Sequence, residues 1–355
     1  MPPSIRTIAK EAGVAPITVS RALREGDLRV AGETRQRILE IADRQGYRPS
    51  PEIARLMTGV RLARTPKYQS TIAVLVLSKT EKSPSEWMPY TRELYKGIER
   101  RADAMGYGLE IFNPRVQGMS PDRIARTLYA RNVAGVLILP SRQRVVHLRF
   151  PWEHFSALAA TYSLWSPHLH RVVPHQYQGM QITIHQLRHL GYRRIGLAIP
   201  SEMPRRNNYM AASFYFTHES LLTEGKNRMP PFMIPMLNRE KELTLFRKWF
   251  DKYRPEALIT VAGRCSEYLE KDMGLRVPED IGIAYLACLD APPGATGINE
   301  GAEHVGSVAV SQLVDMINRN ERGVPETPIV HLVEGRWVPG NTVRDIRKSK
   351  QGGKP

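Results

Sequence analysis

The chain has 355 residues, of which 42% are hydrophobic and 24% charged, so it can bury the cores of two or three domains and is not a disordered or fibrous protein. No apolar run reaches the length of a membrane-spanning helix, and residues 1–6 lack the apolar stretch of a signal peptide, so we expect a cytoplasmic protein. The formal net charge of +16 favours a polyanionic partner, because each neutralised phosphate releases counterions.

Residues 4–47 have the pattern of three short helices, because apolar residues recur at helical spacing between caps and breakers. The first helix follows Ser4 as N-cap and ends at Gly13, and the second runs from Pro16 to Leu23. On the third helix, which Gly46 ends, the inward-facing residues are expected to be Ile38, Leu39, Ile41 and Ala42. A short connection with a glycine between the first two helices is the spacing of a helix-turn-helix.

Residues 49–66 are predicted to form a short hinge helix followed by a linker. Ser50, Pro51 and Glu52 form a helix start, and only about two turns follow before Gly59. A helix this short is marginal in isolation. The basic residues 347–355 at the other end of the chain are expected to form a solvated tail.

From Thr71 onward, predicted strands alternate with predicted helices. Strands are predicted at 72–77, 109–112, 135–139, 157–161, 195–199, 233–236, 257–261 and 281–286. Helices are predicted near 90–105, 121–131, 176–190, 208–224, 240–253, 265–272 and 304–320. Near-continuous apolar strands are typical of parallel sheets wrapped by helices on both faces, and this length favours two α/β lobes with a cleft between them.

Four segments of the first 60 residues combine into a specific pattern. They are 4–14, 18–23, 33–35 and the tyrosine-proline exit 46–49. This order of helices, turn and exit strongly resembles the lactose-repressor (LacI/GalR) family of bacterial transcription regulators. Segments 89–99, 134–138, 190–195 and 274–281 resemble the periplasmic-binding-protein-like core of that family.

The resemblance implies a domain organisation. A helix-turn-helix head at 1–48 would precede the hinge and a core at 71–346, whose two lobes are joined by three crossovers. Lobe 1 would hold 71–171 and 301–330, and lobe 2 would hold 172–300 and 331–346. Such cores usually form dimers, so we expect a homodimer that binds a pseudo-palindromic operator in double-stranded DNA. The expected role is that of a repressor.

The second helix of a helix-turn-helix lies in the major groove, where its first side chains reach base edges. Arg21 can pair bidentately with guanine, whereas Pro16 and Ile17 can contact thymine methyl groups. The alternatives are that Ile17 packs against the first helix and that Arg21 is an ordinary solvated charge. The remaining residues expected to contact DNA in or near the head are Ser4, Arg6, Thr18, Ser20 and Arg48.

Two further features follow from the resemblance. Leu56 matches a leucine that enters the minor groove and bends the DNA, and Ala54 is small enough for two hinge helices to approach across the dimer axis. The alternative is that Leu56 only covers the lobe beneath it. Ala15 and Ala31 stand where the family usually has a serine, and the loss of such an N-cap costs roughly 1 kcal/mol.

The predicted cleft departs from the family pattern, because the carboxylates that bind sugar hydroxyls are expected to be missing. Arg264 and Ala287 follow two predicted strands at which the family places acceptors. This exchange favours an anionic or acceptor-rich effector derived from a carbohydrate. The candidate cleft residues are Tyr90, Arg142, Trp165, Arg205, Arg206, Asn208 and Arg264. The alternative is a core that serves dimerisation only and binds no effector.

Other function classes have little support in the sequence. His168, His170 and His175 lack a nearby cysteine or carboxylate ligand, and Cys265 and Cys288 lack the spacing of a zinc site or a disulfide framework. No catalytic or nucleotide-binding motif occurs, so we expect neither an enzyme nor a cofactor. A solute-binding protein is opposed by the DNA-reading head and by the missing signal peptide.

Overall fold

A computed structural model describes residues 4–23, 30–47, 70–77, 83–114, 118–133, 135–141, 146–223, 225–261 and 263–347. The predicted hinge helix, with Ala54 and Leu56, lies outside these ranges, as do Arg48 and Arg142. Within the described part of the chain, none of the helices combines the length and the apolar character that a membrane crossing requires.

The head consists of three helices, α1 (Ile5–Ala12), α2 (Pro16–Ala22) and α3 (Gly32–Arg44), which confirms the three predicted ones. Their core is formed by Ile8, Ala9, Ala12, Val19, Ala22, Val30, Ile38, Ile41 and Ala42. The prediction that Leu39 faces inward is wrong, because its side chain is 45% exposed. Residues 38, 41 and 42 already form the buried stripe of α3, and position 39 lies about 100° around the helix from position 38.

Lobe 1 is built on a six-stranded parallel sheet in the order β13-β7-β5-β3-β1-β2. Its strands are β1 (Ser70–Leu75), β2 (Tyr107–Phe112), β3 (Gly135–Ile138), β5 (Ser156–Ala159), β7 (His170–Pro174) and β13 (Val330–Val333). Helices α4 (Pro89–Ala104) and α11 (Ala302–Arg319) cover one face, and α5 (Pro121–Ala130) covers the other. Strands β4 (Val146–His147) and β6 (Leu164–Ser166) form a small separate pair.

Lobe 2 has a second six-stranded sheet in the order β14-β12-β11-β10-β8-β9, in which β14 alone is antiparallel to its neighbour. Its strands are β8 (Ile195–Pro200), β9 (Phe232–Ile234), β10 (Ala257–Thr260), β11 (Gly282–Tyr285), β12 (Thr296–Asn299) and β14 (Arg336–Val338). Its helices are α6 (Gln176–His189), α7 (Met203–Arg206), α8 (Met210–Thr217), α9 (Arg239–Tyr253) and α10 (Arg264–Glu267).

The predicted elements of the core are found with end positions that differ by no more than two residues, with two exceptions. The helix expected at 265–272 is α10 followed by a π-helical turn at Tyr268–Asp272. The single helix expected at 208–224 is α8 followed by a π-helical turn at His218–Leu222, and α7 is a separate short helix before it. The break falls at Asn208 and Tyr209, which both adopt a left-handed backbone that interrupts a helix.

The chain changes sheets three times, after β7, after β12 and between β13 and β14. The lobe divisions expected after residues 171 and 330 lie three residues before the ends of β7 (Pro174) and β13 (Val333), where the chain leaves sheet 1. The reason is that β7 and β13 pair in parallel along their whole length, with Pro174 opposite Val333, so both strands stay in sheet 1 to those residues.

Helices α4 and α11 cross in direct backbone contact at two glycines. A Cβ atom added to Gly97 would lie 1.8 Å from the Glu303 carbonyl oxygen, and one added to Gly306 would lie 2.1 Å from the Leu94 carbonyl oxygen. Both distances are shorter than any real contact, so only glycine allows the two helices to pack this closely. The crossing holds α11, which enters lobe 1 directly after the second crossover, against the first helix of that lobe.

Candidate functional sites

Helix α2 presents a polar side opposite the residues that it buries in the head. Val19 and Ala22 are buried, whereas Pro16 is exposed and Thr18 and Arg21 are partly exposed. Arg21 makes no hydrogen bond or ion pair within the described part of the chain, so its five N–H donors are available to a ligand. The side chains of Ile17 and Ser20 are not described, and their expected roles therefore stay predictions.

The start of α1 is held by a capping box. The Thr7 backbone N–H donates to Ser4 Oγ at 3.2 Å, and the Ser4 backbone N–H donates to Thr7 Oγ1 at 2.9 Å. Ser4 is therefore a structural cap, and its expected contact with DNA stays a prediction. The side chain of Arg6, which follows on the first turn, is exposed. By contrast, Ala15 and Ala31 cap α2 and α3 without any side-chain hydrogen bond, as the sequence predicts.

A cavity of about 560 Å³ lies between the lobes, which is in the size range of small-molecule sites. Its walls come from the carboxyl ends of strands in both sheets and from all three crossovers, as Pro174, Glu300 and Gly335 show. Ligands of open α/β folds bind at such strand ends. The predicted cleft between two lobes is thus present.

The structure brings only part of the predicted cleft set to this cavity. Tyr90, Arg206 and Arg264 line it. Asn208 does not, because its left-handed backbone ends α7 and leaves the preceding Asn207 at the cavity wall. Trp165 is also absent from the lining.

Arg205 and Arg206 on α7 of lobe 2 instead reach lobe 1. The Arg205 guanidinium lies over the Trp165 ring, 5.4 Å from its centroid, which is a cation–π contact between the lobes. One terminal nitrogen of Arg206 donates to the Ser141 carbonyl oxygen at 2.8 Å. These contacts join the two lobes at α7. Arg205 and Trp165 therefore contact each other and do not line the cavity.

Arg264 is not a free cation for an anionic ligand, because its guanidinium already has a carboxylate partner. Arg264 Nη1 donates to Glu242 Oε2 at 2.8 Å, and Glu242 is 1% exposed. The same Glu242 accepts from the Tyr268 hydroxyl at 2.7 Å and from the Leu237 backbone N–H at 3.1 Å. A buried carboxylate is stable only when paired in this way, so Arg264 serves first as the counter-charge of Glu242.

The cleft holds carboxylates, at positions other than Arg264 and Ala287, where the resemblance places acceptors. Glu202, Asp290 and Glu300 all line the cavity. Glu300 follows β12 at the second crossover, and burial together with the neighbouring Asp290 raises the pKa of its carboxyl to about 7. The signal in the sequence would have been an acid directly after a strand, but β12 (Thr-Gly-Ile-Asn) is too short and too polar to be recognised.

The three histidines considered as metal ligands have other partners or stand apart. His170 Nε2 lies 2.8 Å from Glu321 Oε1, and its Nδ1 accepts from the Ile329 backbone N–H at 2.9 Å. The Nδ1 of His175 accepts from the Gln178 backbone N–H at 3.3 Å, which caps α6. His170 and His175 therefore hold local structure.

Comparisons with known proteins agree with this architecture. Residues 4–50 match the family described as bacterial regulatory proteins, lacI family, and residues 184–343 match the periplasmic binding protein-like domain. The transcriptional repressor MelR of Bacillus subtilis is 26% identical over 339 residues, which cover 88% of this chain and 91% of that protein. The transcriptional regulator KdgR of Bacillus subtilis is 22% identical and covers 91% and 94% of the two chains.

Solved structures share the same fold. A complex of the transcriptional regulator CelR with cellobiose superposes with a TM-score of 0.56 at 18% identity and covers 96% of this chain and 99% of that one. The lac repressor dimer bound to operator and an anti-inducer superposes with a TM-score of 0.53 at 16% identity, over 97% and 100% of the two chains. At these identities the likeness concerns the fold alone.

Proposed function

The chain belongs to the LacI family of bacterial regulatory proteins, and from this premise we propose that it is a repressor that binds a twofold operator as a homodimer and responds to a small molecule in the cleft. The observation that carries the proposal is helix α2. Its exposed side carries Pro16, Thr18 and Arg21, which has no partner among the described residues, while Val19 and Ala22 anchor its other side. A recognition helix needs this division to enter the major groove.

Exposed apolar side chains around β9 support dimerisation. Six large apolar residues on the segments that flank this strand are between 43% and 75% exposed, namely Phe216, Leu221, Leu222, Met236, Leu237 and Leu245. A concentration of this kind marks a protein interface more often than a solvated surface. Two heads on a symmetric dimer would then meet two half-sites of a pseudo-palindrome.

The hinge belongs to the same proposal and rests on the sequence resemblance. Leu56 would enter the minor groove, and Ala54 would face its counterpart across the dimer axis. The bending of operator DNA by a Leu56→Ala variant, measured on permuted fragments, tests this role.

The cleft supports the response to a small molecule. It places polar groups from both lobes around one cavity of suitable size, and the crossovers at Pro174, Glu300 and Gly335 allow the lobes to rotate about it. A ligand that binds one lobe arrangement better than the other shifts their populations and thereby the spacing of the two heads. Solved structures of similar fold include CelR with cellobiose and LacI family regulators with bound ribose or glucose. Their ligands support a hydroxylated effector here.

Selection of operators from random DNA with the purified full-length protein tests the proposal. We expect a twofold-symmetric consensus, a footprint with two equivalent halves, and binding that weakens steeply as salt increases. A footprint without twofold symmetry would contradict the dimer. If operator binding succeeds and no small molecule alters it, the core serves dimerisation only.

A further inference from the structure

One end of the cleft gathers two carboxyl groups and a tyrosine from three separate elements. Glu300 follows β12, Asp290 follows β11, and Tyr90 lies on the first turn of α4. The Tyr90 backbone N–H donates to Asp290 Oδ1 at 3.4 Å, and burial together with the charges of Glu300 and Asp290 raises the pKa of the Tyr90 hydroxyl. The three side chains are therefore neighbours, and we call this group the acidic end of the cleft.

Glu300 has no cationic partner among the residues that the structure describes. Within the described ranges its hydrogen-bond partner is the neutral amide of Gln176, whose Nε2 lies 3.3 Å from Glu300 Oε1. The Oε1 of that same amide is a buried acceptor that has no donor in the described part of the chain. Glu300 and Gln176 thus present more hydrogen-bond acceptors than donors, and such groups are costly to bury without partners.

The guanidiniums of the cleft are engaged elsewhere. Arg264 pairs with the buried Glu242, and Arg206 donates to the Ser141 carbonyl of the opposite lobe. Glu202, Asp290 and Glu300 line the cavity, so its acids outnumber its two arginines even before the partner of Arg264 is considered. The excess charge inside the cleft is negative, although the whole chain carries +16.

We propose that the effector of this cleft is a small molecule with a protonated amine, and that Glu300 and Asp290 bind the ammonium group. The inference rests on the proposed function of the cleft as an effector site and narrows its ligand class. An ammonium supplies both the missing positive charge and up to three donors, which the carboxylates and Gln176 Oε1 can accept. A neutral sugar supplies donors but leaves the carboxylate charge uncompensated.

Binding of an ammonium also predicts a proton balance. At pH 7 the carboxyl of Glu300 carries about half a proton, and the cation displaces it, so binding releases up to about half a proton to solvent. Affinity should fall at lower pH because the protonated carboxyl no longer attracts the cation. The other titratable or charged groups that line the same cavity are Tyr90, Tyr162, His175, Glu202, Arg206, Arg264 and Asp290.

Matched pairs of amines and alcohols test the proposal on the full-length protein. The probes are glucosamine with glucose, galactosamine with galactose, and ethanolamine with ethylene glycol, each screened by thermal shift at pH 8 and then by calorimetry. We expect at least one amine to bind at least tenfold more tightly than its alcohol, with a further loss of at least tenfold at pH 5.5. Proton release is measured by repeating the calorimetry at pH 7 in buffers of different ionisation heat.

Variants separate a charge contact from a general effect. Glu300→Gln should lower the affinity of the amine at least tenfold and abolish proton release, whereas Glu326→Gln at an exposed position outside the cavity should change neither. The proposal is overturned if the alcohols bind as tightly as the amines, if Glu300→Gln keeps the affinity within twofold, or if no amine of the panel raises the melting temperature. Operator binding without ligand is measured in parallel, so failure of the regulator proposal is distinguishable from failure of this one.

Discussion

The head and the cleft use arginine in opposite ways. In the head, Arg6 is exposed and Arg21 has no partner in the described part of the chain, so both can meet DNA. In the cleft, Arg205 contacts Trp165, and Arg264 pairs with Glu242. The difference teaches that an arginine near a site is a candidate ligand group only where no protein group has taken its donors. The head reads a polyanion, while the cleft is left with an acidic end.

The first prediction separates the two regions by stability. Gly306→Ala places a Cβ atom against the Leu94 carbonyl, where neither backbone can give way, and should lower the free energy of unfolding of the core by about 3 kcal/mol. All five tryptophans lie in the core, so urea unfolding followed by tryptophan fluorescence reports on the core and not on the head.

Gly179→Ala on α6 is the matched control for that experiment. Its Cβ atom would lie 3.6 Å from Ile298, an ordinary contact, so the loss should stay below about 1 kcal/mol. Equal losses for the two variants would show that the α4–α11 crossing is not closely packed.

The second prediction concerns the acidic end of the ligand-free cleft. Burial raises the folded-state pKa of Glu300 from 4.5 to about 7, so the folded protein binds more protons than the unfolded chain between these values. Stability should therefore be lost as pH rises from about 4.5 to 7, by up to about 3 kcal/mol. Glu300→Gln should be more stable than the parent at pH 8 and equal to it at pH 4.5, as thermal unfolding can measure. A pH-independent difference would contradict this assignment.

The third prediction tests whether Arg264 is a structural counter-charge. Arg264→Ala leaves Glu242 buried without its cation, and since Arg264 is half-exposed we expect a loss of about 2 kcal/mol in the free energy of unfolding rather than the larger cost of a fully buried pair. Adding Glu242→Gln removes the orphaned charge and should recover most of that loss. If the double variant is no more stable than Arg264→Ala, the charge pairing is not the cause.

The fourth prediction addresses the head. Arg21→Ala should cost about 2 kcal/mol of operator affinity and relax preference at one base pair, because a bidentate contact to guanine is lost. Binding to an operator library measures both effects. Arg322→Ala, an exposed arginine of the core, is the control and should leave affinity unchanged. A uniform loss across all operators would identify Arg21 as a phosphate contact instead.

The smallest expected effect is a gain in the stability of the head. Ala31 caps α3 without a side-chain hydrogen bond, although its extended backbone suits a serine cap. Ala31→Ser should stabilise the head by about 0.5–1 kcal/mol, because its hydroxyl can accept from a free N–H of the first turn. Amide hydrogen exchange of α3, measured in the full-length protein, reports this gain. Unchanged protection of α3 would contradict the prediction.

The helices of the head and most strands of the core could be predicted from sequence because their information is local. Periodic apolar residues between Ser4 and Gly13 specify α1, and the apolar run after Thr71 specifies β1. Strands β7 and β12 were not predictable in this way. They are short and contain His, Arg, Gly or Asn, and they are held in place by pairing with strands that are distant in sequence.

The sequence by itself determined the family, the α/β class, the helix-turn-helix and the existence of a cleft. Only the tertiary structure decided which cleft residues carry available charge. Glu242 and Arg264 are 22 residues apart on different helices, and Glu300 meets Gln176 across 124 residues. Residue types and spacing along the chain indicate what a side chain could bind. Whether its charge is already paired depends on the neighbours that folding brings within hydrogen-bonding distance.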